Sequence, residues 1–253
     1  MRWIIEDIFN NTSQITEILK EKNISHEVID KFSVHKHLNK IAKDEYFYYG
    51  SIFGSREANK NNGTTFLNEK NLLCSSYYPY YSDFLLNKDY VIVPLIELKH
   101  RFDFFKNAFQ SNKLFVRPNS PVKIFTGQVI EESNIQEFED CFHSLVIVSS
   151  PKQIEAEYRF FISNNHVVSG SQYIKNNDID INSYIDPKAM NLAQIIVNQE
   201  WKPDTLFIAD IAISNNNPYL IEFNSISCAD YYEMDLNKII SEIITHIDNS
   251  RNN

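Results

Sequence analysis

The chain has few cysteines and lacks the sequences that mark several common active sites. Cys74, Cys141 and Cys228 are isolated and odd in number, so they form no paired metal motif and favour a reducing cytoplasm. The sequence contains no Walker motif, no dinucleotide glycine fingerprint and no Gly-x-Ser-x-Gly elbow. These absences argue against P-loop nucleotide enzymes, dinucleotide-binding enzymes and α/β hydrolases.

Positive charge and long apolar runs are also scarce. The formal net charge of −9 argues against binding to a nucleic acid backbone, which requires a basic face. No basic leader precedes an apolar stretch, and Pro94 and charged residues interrupt the longest apolar run. We therefore expect no signal peptide, no transmembrane helix and no membrane partner. With 43% hydrophobic residues, the 253-residue chain fits two domains, or one with a large extension.

Hydrophobic periodicity predicts an α/β unit at the start of the chain. Residues 2–6 and 26–30 are typical strands around a helix at 12–22, capped by Thr12 or Ser13, which indicates a parallel arrangement. We also expect a strand at 46–53, a turn at 164–165, and helices at 97–110, from 186 and at 235–248. The tyrosines of 77–81 favour aromatic packing beneath a loop over stacking on a base. His35 and His37 would share one face of a strand, but no third metal ligand is apparent.

Two apolar strands joined by a polar turn form the most informative segment. Residues 206–214 and 218–225 flank Asn215–Asn217, a turn of the kind that closes a β-hairpin. If all three asparagines form the loop, Ser214 pairs with Pro218, and Asp210 then lies directly opposite Glu222. Opposed side chains on one face of a sheet have Cβ atoms roughly 4.5–5.5 Å apart.

Two carboxylates this close repel each other unless a cation lies between them. Oxygen ligands suit Mg²⁺ better than zinc or copper, and Asn224 points the same way as Glu222. Two other interpretations stay open from the hairpin alone. Acidic residues on a strand usually mark a solvated face, although Ile208 and Ala212 on the same face argue against it. A carboxylate pair about 5–5.5 Å apart is also typical of retaining glycosidases.

A segment before the hairpin carries cations suited to phosphate. Residues 114–116 are predicted as a buried strand that ends at Pro118, with Arg117 at its end and Lys123 beyond a loop. The guanidinium fork and the ammonium point charge both suit phosphate oxygens. Thr126 adds a hydroxyl beside the flexible Gly127. An ordinary surface charge remains the alternative for Arg117.

A third segment, residues 155–163, is predicted as a strand with Arg159 in its interior. Tyr158, Phe160 and Ile162 would lie on one face, and Arg159 on the other. Arg159 needs an anionic partner if it is buried. A structural salt bridge with Glu155 or Glu157 is the alternative to a functional role.

Taken in order, these motifs resemble an ATP-grasp domain. The sequence is similar in particular to the bacterial and phage clade in which Arg-Pro replaces the usual phosphate-binding Lys-Pro. The resemblance covers roughly residues 113–232. Its six motifs are Phe115-Val-Arg-Pro118, Lys123-x-Phe-Thr-Gly127, Glu157-Tyr-Arg-Phe160, Ser169-Gly-Ser-x-Tyr173, Asp210 and Glu222-Phe-Asn224.

The resemblance implies an α/β (α+β) protein in which two α+β subdomains enclose a nucleotide. It implies a small α/β pre-ATP-grasp domain at 1–110 and an ATP-grasp domain at 111–253. Magnesium would be held by Asp210, Glu222 and Asn224, and Arg117, Lys123 and Arg159 would be the catalytic cations. The expected nucleotide-binding residues are Arg117, Lys123, Thr126, Val148, Ser149, Glu155 and Arg159, with Val148 and Ser149 near adenine and Glu155 near the ribose. Unlike many ATP-grasp enzymes, the chain has Asn119-Ser-Pro121 in place of a glycine-rich loop.

The function that the resemblance implies is carboxylate–amine ligation with ATP and magnesium. A carboxylate of an amino acid, peptide or protein would attack ATP to give an acyl phosphate, which an amine then captures. A phosphotransferase acting on a small-molecule hydroxyl and a non-catalytic nucleotide-binding module are the alternatives. The expected location is the cytoplasm of a bacterium or of a phage-infected host.

Overall fold

The computed structural model describes residues 1–41, 43–164 and 166–251, which form three β-sheets covered by helices. Asn165 of the predicted turn lies outside the described residues. Within these ranges, no helix combines the length and apolarity needed to cross a membrane.

The first sheet, here called the N-terminal sheet, is parallel with strand order β2-β1-β3-β4. Trp3 and Ile5 face one side and Ile4 faces the other, so both faces are buried. The predicted strand–helix–strand unit is confirmed. The elements are β1 (Arg2–Glu6), α1 (Thr12–Glu21), β2 (His26–Ile29), α2 (Val34–Lys40), β3 (Tyr46–Tyr49), α3 (Ile52–Lys60) and β4 (Gly63–Thr64).

Three local predictions in this region are wrong. The helix α1 begins at Thr12 as predicted, but its N-cap position is Asn11 rather than Thr12 or Ser13. The strand predicted to reach residue 53 ends at Tyr49, because the Ser51 hydroxyl accepts the Gly54 N–H at 3.0 Å and starts α3. His35 and His37 lie on α2, where residues two apart do not share a face, so they form no metal pair.

The segment of clustered tyrosines is a helix, α4 (Cys74–Tyr81). Its aromatic packing is confirmed: Tyr77 and Tyr81 lie 5.0 and 4.9 Å from the ring centroid of Phe223 on the last strand.

The second sheet, here called the middle sheet, is antiparallel with order β5-β8-β6-β7. The single helix predicted at 97–110 is two helices that break at Arg101 (φ −129°, ψ 29°). Because β5 pairs with β8, the middle sheet begins at Val91, before residue 110. The domain boundary at residue 110 stays a prediction. The elements are β5 (Val91–Pro94), α5 (Leu95–His100), α6 (Phe102–Phe109), β6 (Leu114–Pro118), β7 (Gln128–Ile130), a 3₁₀ segment (Glu132–Cys141) and β8 (Leu145–Ser149).

The third sheet, here called the large sheet, is antiparallel with order β11-β10-β9-β12-β13. The predicted helix start at Asp186 is confirmed, since its carboxylate accepts the Lys188 N–H at 2.7 Å. The elements are β9 (Ala156–Ser163), β10 (His166–Lys175), β11 (Asp178–Asn182), α7 (Pro187–Val197), β12 (Leu206–Ser214), β13 (Asn217–Asn224), a 3₁₀ turn (Ile226–Cys228) and α8 (Leu236–Arg251).

Two apolar cores cover the faces of the large sheet. Phe160 and Ile211 pack with α7 on one face. Phe161 and Ile208 pack with α8 and the N-terminal sheet on the other face. Beyond Ile208, this second face carries the charged residues Asp210 and Arg159, which line a pocket together with residues of the middle sheet. The fold therefore leaves one polar end of the sheet for a site.

Candidate functional site

Asp210 and Glu222 lie directly opposite each other on β12 and β13, as the sequence predicts. The predicted route to this register is wrong, because the turn contains only Asn215 and Asn216, and Ser214 pairs with Asn217. Both turn residues have positive φ (48° and 60°), the conformation of a two-residue hairpin turn. A β-bulge at Ile221 then shifts the register by one residue. The two differences cancel, so the carboxylates still meet.

Three side chains form a charged row across adjacent strands of the large sheet. Arg159 on β9 pairs with Asp210, and Asp210 pairs with Glu222. The Nε and Nη2 atoms of Arg159 each donate to one oxygen of Asp210 at 2.8 Å. The Asn224 amide donates to both carboxylates, at 3.0 Å each. This network joins Asn224, Asp210 and Glu222, the three predicted metal ligands.

Two cations reach this row from β6 of the middle sheet and from the loop that follows it. Arg117, at the end of β6, donates from Nη2 to Glu222 and from Nη1 to the Ile221 carbonyl oxygen at 3.1 Å. The Lys123 ammonium lies 3.2 Å from Glu222, and the Lys123 side chain is 56% exposed, whereas the Arg117 side chain is only 11% exposed. The motifs of two different sheets therefore converge on Glu222.

Burial and these cations move the pKa values of the two carboxyls apart. Burial raises the pKa of Asp210 even though the Arg159 guanidinium opposes the shift. Burial also acts to raise the pKa of Glu222, but Arg117 and Lys123 outweigh it and hold the pKa well below its usual range. Opposed shifts in neighbouring acids are typical of functional sites.

A pocket of about 470 Å³ lies between the middle and large sheets. Its charged lining contains Arg117, Lys123, Lys152, Glu157, Arg159, Asp210 and Glu222. Its apolar lining contains Leu86, Phe115, Phe125, Val129, Ile154 and Ile221. The volume lies within the range of roughly 300–1,000 Å³ found for small-molecule sites.

The other predicted site residues are distributed differently. Thr126 and Gly127 line the pocket. Val148 and Ser149 end β8, are buried and lie outside the pocket lining, which contains Lys152 three residues beyond Ser149. The structure places Glu155 outside this lining, since its exposed carboxylate accepts the Asn216 N–H at 3.0 Å.

The pocket residues without an assigned sequence role include Glu157, Tyr173 and Tyr232. Glu157 and Arg159 are two residues apart on β9 and share one face, so strand alternation in the sequence indicates that Glu157 also faces the pocket. The Tyr173 hydroxyl donates to Glu157, and no Lys, Arg or His nitrogen of the described residues lies within 4 Å of this carboxylate. Burial raises the pKa of Glu157.

Cys228 lies in the turn after β13, where its sulfur is 3.1 Å from the Ser55 hydroxyl. Burial raises the pKa of this thiol to about 11, which favours the uncharged, unreactive form.

The donor set fits a hard cation better than a soft one. In the described part of the chain, no three His, Cys, Asp or Glu side chains come together in a group that could hold a metal ion. Two carboxylates with an amide oxygen instead suit Mg²⁺, which is usually bound by one or two carboxylates plus phosphate oxygens. For Asn224 to contribute Oδ1, its amide has to rotate, because its nitrogen faces the carboxylates here.

Comparison with solved structures supports the fold. The ATP-grasp ligase PsnB complexed with a minimal precursor has a TM-score of 0.61 at 9% identity, covering 96% of this chain and 98% of that chain. The macrocyclase MdnC of Microcystis aeruginosa MRC, bound with the precursor peptide MdnA, gives 0.60 at 9% identity, with coverage of 97% and 100%. D-alanine–D-alanine ligase of Bacillus anthracis, complexed with ATP, gives 0.58 at 12% identity, with coverage of 89% and 86%. The expected ATP-grasp fold is therefore confirmed.

Sequence comparison gives the family. No curated protein matches the sequence. Residues 98–241, more than half of the chain, match the family described as "ATP-grasp domain, R2K clade family 2". This chain is therefore an ATP-dependent enzyme of the ATP-grasp family, R2K clade family 2.

Proposed function

We propose that the protein is a magnesium-dependent ligase that joins a carboxylate to an amine through an acyl phosphate formed with ATP. The observation that carries this proposal is the opposed pair Asp210 and Glu222, which lines one pocket with three cations. The Asn224 amide, outside that lining, is hydrogen-bonded to both carboxylates. Membership of the ATP-grasp family identifies the nucleotide as ATP.

The pocket combines apolar and cationic lining residues, which suits ATP. Leu86 and Ile154, which both line the pocket, offer apolar surface for a base. Arg117 and Lys123 offer donors for phosphates, with the Thr126 hydroxyl beside them.

Glu157 is a better candidate for the ribose hydroxyls than Glu155. A hydroxyl donor needs a carboxylate that faces the pocket and is not already paired with a cation. Glu157 meets both conditions within the described residues, whereas the carboxylate of Glu155 binds the hairpin turn at Asn216. Residues two apart share a face only within a strand. Since β9 begins at Ala156, Glu155 lies outside the strand and does not share the pocket face of Glu157.

Asp210, Glu222 and Asn224 would hold the magnesium ion of the nucleotide. An ion bound there would supply charge neutralisation at the phosphate oxygens. The same ion would reduce the repulsion between Asp210 and Glu222, which share one face of the hairpin.

The cations of the chain are fixed before any reaction takes place. Asp210 holds Arg159 through two hydrogen bonds, and Glu222 holds Arg117 in the buried interior of the pocket. Charges that are already oriented stabilise the charge that builds up during phosphoryl transfer without reorganisation. Lys123 is more exposed, and its ammonium is held by Glu222 at 3.2 Å.

The acceptor is proposed from the class of similar structures. PsnB and MdnC are seen with precursor peptides, and the B. anthracis enzyme is a ligase of D-alanine. We therefore place the acceptor among amino acids, peptides and protein side chains. The residues of the site would serve a hydroxyl acceptor equally well, so reaction products have to decide between the two.

Hydroxylamine provides the test, because it traps an acyl phosphate as a stable hydroxamate. The protein is incubated with ATP, Mg²⁺, hydroxylamine and the small molecules and peptides of a cell extract, and products are identified by mass spectrometry. The ligase proposal predicts a hydroxamate that forms together with ADP. A stable phosphorylated product without hydroxamate would contradict it and favour the phosphotransferase.

A further inference from the structure

Tyr232 stands apart among the residues with a left-handed backbone. Apart from it, the non-glycine residues with positive φ in the described chain are six asparagines and Gln110, which ends α6. Asparagine adopts this conformation readily. Tyr232 has a φ of 49° although its side chain is bulky. Such a conformation persists only where the surroundings over-determine it, and it is typical of functional sites.

Three contacts hold Tyr232 in place. Its ring stacks on Tyr173 with centroids 5.1 Å apart and planes 10° apart. Its carbonyl oxygen accepts a hydrogen bond from the Asn11 side chain at 3.0 Å. Its N–H donates to the Asp230 carboxylate at 3.2 Å. Since Asn11 precedes α1 and Tyr232 lines the pocket, their hydrogen bond joins the N-terminal region to the pocket.

Arg159 lies against this arrangement. Its guanidinium carbon is 5.0 Å from the ring centroid of Tyr232 and 5.4 Å from that of Tyr173. Its Nη1 donates to the Asp230 carbonyl oxygen at 3.1 Å. Its other edge faces Asp210. The guanidinium is therefore held by a carboxylate, a carbonyl group and two aromatic rings.

We propose that Tyr232 is a positioning residue that holds Arg159 in the orientation required for phosphoryl transfer. This proposal rests on the proposed function, in which Arg159 is one of the catalytic cations. A ring fixed by a strained backbone restricts the guanidinium more tightly than a flexible side chain would. Phosphoryl transfer depends on such positioning and on pre-oriented charge.

The test compares a ground-state ligand with a mimic of the transition state, so it does not need the acceptor. Binding of AMPPNP with Mg²⁺ and of ADP with Mg²⁺ and aluminium fluoride is measured by calorimetry. In Tyr232→Ala we expect the affinity for the mimic to fall about tenfold relative to that for AMPPNP. Tyr232→Phe should restore the wild-type ratio, because it retains the stacked ring.

Tyr80→Ala is the matched control. Tyr80 also stacks on an aromatic ring, that of Trp201, at 5.0 Å and 5°, but it lies outside the pocket. We expect this variant to retain the wild-type ratio. If Tyr232→Ala does not fold, Asn11→Ala releases the carbonyl of Tyr232 while keeping the ring, and should shift the ratio in the same direction by about threefold.

The outcomes separate this proposal from the proposed function. An unchanged ratio in Tyr232→Ala, or equal loss of both ligands, would overturn the positioning role alone. Failure of Tyr232→Phe to restore the ratio would also overturn it. If the wild-type protein binds AMPPNP but not the aluminium fluoride complex, phosphoryl transfer at this site is contradicted, and both proposals fall together.

Discussion

Replacing Asp210 with asparagine tests the proposed metal site most sharply, because this carboxylate has two partners. It accepts two hydrogen bonds from Arg159 and one from Asn224. It is only 1% exposed, and Arg159 is 8% exposed. The substitution therefore removes a metal ligand and also leaves a buried cation without its counter-charge.

Both effects have a predictable size. Breaking a buried ion pair by removing one partner costs about 3–5 kcal/mol in the free energy of unfolding. The asparagine oxygen can still accept one hydrogen bond from Arg159, so we expect a loss near 3 kcal/mol, out of a total of roughly 5–15 kcal/mol for a native protein. Loss of preorganised charge stabilisation should reduce turnover about 10²–10³-fold.

A double variant separates these effects. Asp210→Asn combined with Arg159→Met removes both charges and should recover most of the unfolding free energy measured with urea. Mg²⁺ binding in the presence of ADP should stay lost in the double variant, whereas Arg159→Met alone should retain it. Wild-type dependence of ATP turnover on Mg²⁺ in Asp210→Asn would refute the metal assignment.

Three further predictions concern Arg117, Glu222 and Gly54. Arg117→Lys should weaken ATP binding about tenfold and leave adenosine binding unchanged, because lysine lacks the guanidinium fork that reaches both Ile221 and Glu222. An equal loss of affinity for ATP and adenosine in titrations would contradict the phosphate role. Burial acts to raise the pKa of Glu222, but Arg117 and Lys123 outweigh it and hold the folded-state pKa below the ordinary value of 4.5. The ionised Glu222 therefore stabilises the fold above about pH 4.5, and this stabilisation is lost as the pH falls below that value. In urea denaturation at a series of pH values, Glu222→Gln should therefore flatten the decline below pH 4.5, and an unchanged slope would show that the pairing does not act. Gly54→Ala would place a Cβ 1.7 Å from the hydroxyl oxygen of Tyr48, which is buried, so we expect a loss of about 3 kcal/mol or more in the free energy of unfolding; wild-type stability would contradict this packing.

Much of the fold follows from local rules that the sequence displays directly. Alternation predicts Phe160 and Arg159 on opposite faces of β9, and the structure confirms this arrangement. The same rule could have identified Glu157 as a pocket residue. The resemblance implies Glu155 instead, but β9 begins one residue after it, and sequence defines strand boundaries poorly.

The hairpin shows why a correct contact can follow from incorrect details. Three consecutive asparagines do not indicate whether two or three of them form the turn, since each tolerates positive φ. The bulge at Ile221 has no glycine to mark it. Its register shift offsets the shorter turn, so Asp210 still faces Glu222.

Tertiary contacts decided the features that the sequence did not predict. The α2 helix carries His35 in a segment expected to be extended, where its Nδ1 atom lies 2.7 Å from Glu57 on α3. The left-handed backbone of Tyr232 depends on Asn11 and Tyr173, which are distant in sequence. Local propensity does not contain such contacts.

Transfer of oxygen from the acceptor to phosphate tests the central claim most directly. In ligation through an acyl phosphate, the carboxylate oxygen that attacks phosphorus leaves with the phosphate when the amine displaces it. The protein is therefore supplied with ATP, Mg²⁺, an amine and the carboxylate identified by the hydroxylamine trap, labelled with oxygen-18. We predict that the released phosphate carries one labelled oxygen and forms in proportion to the amide. An amide formed with unlabelled phosphate would contradict the acyl phosphate route.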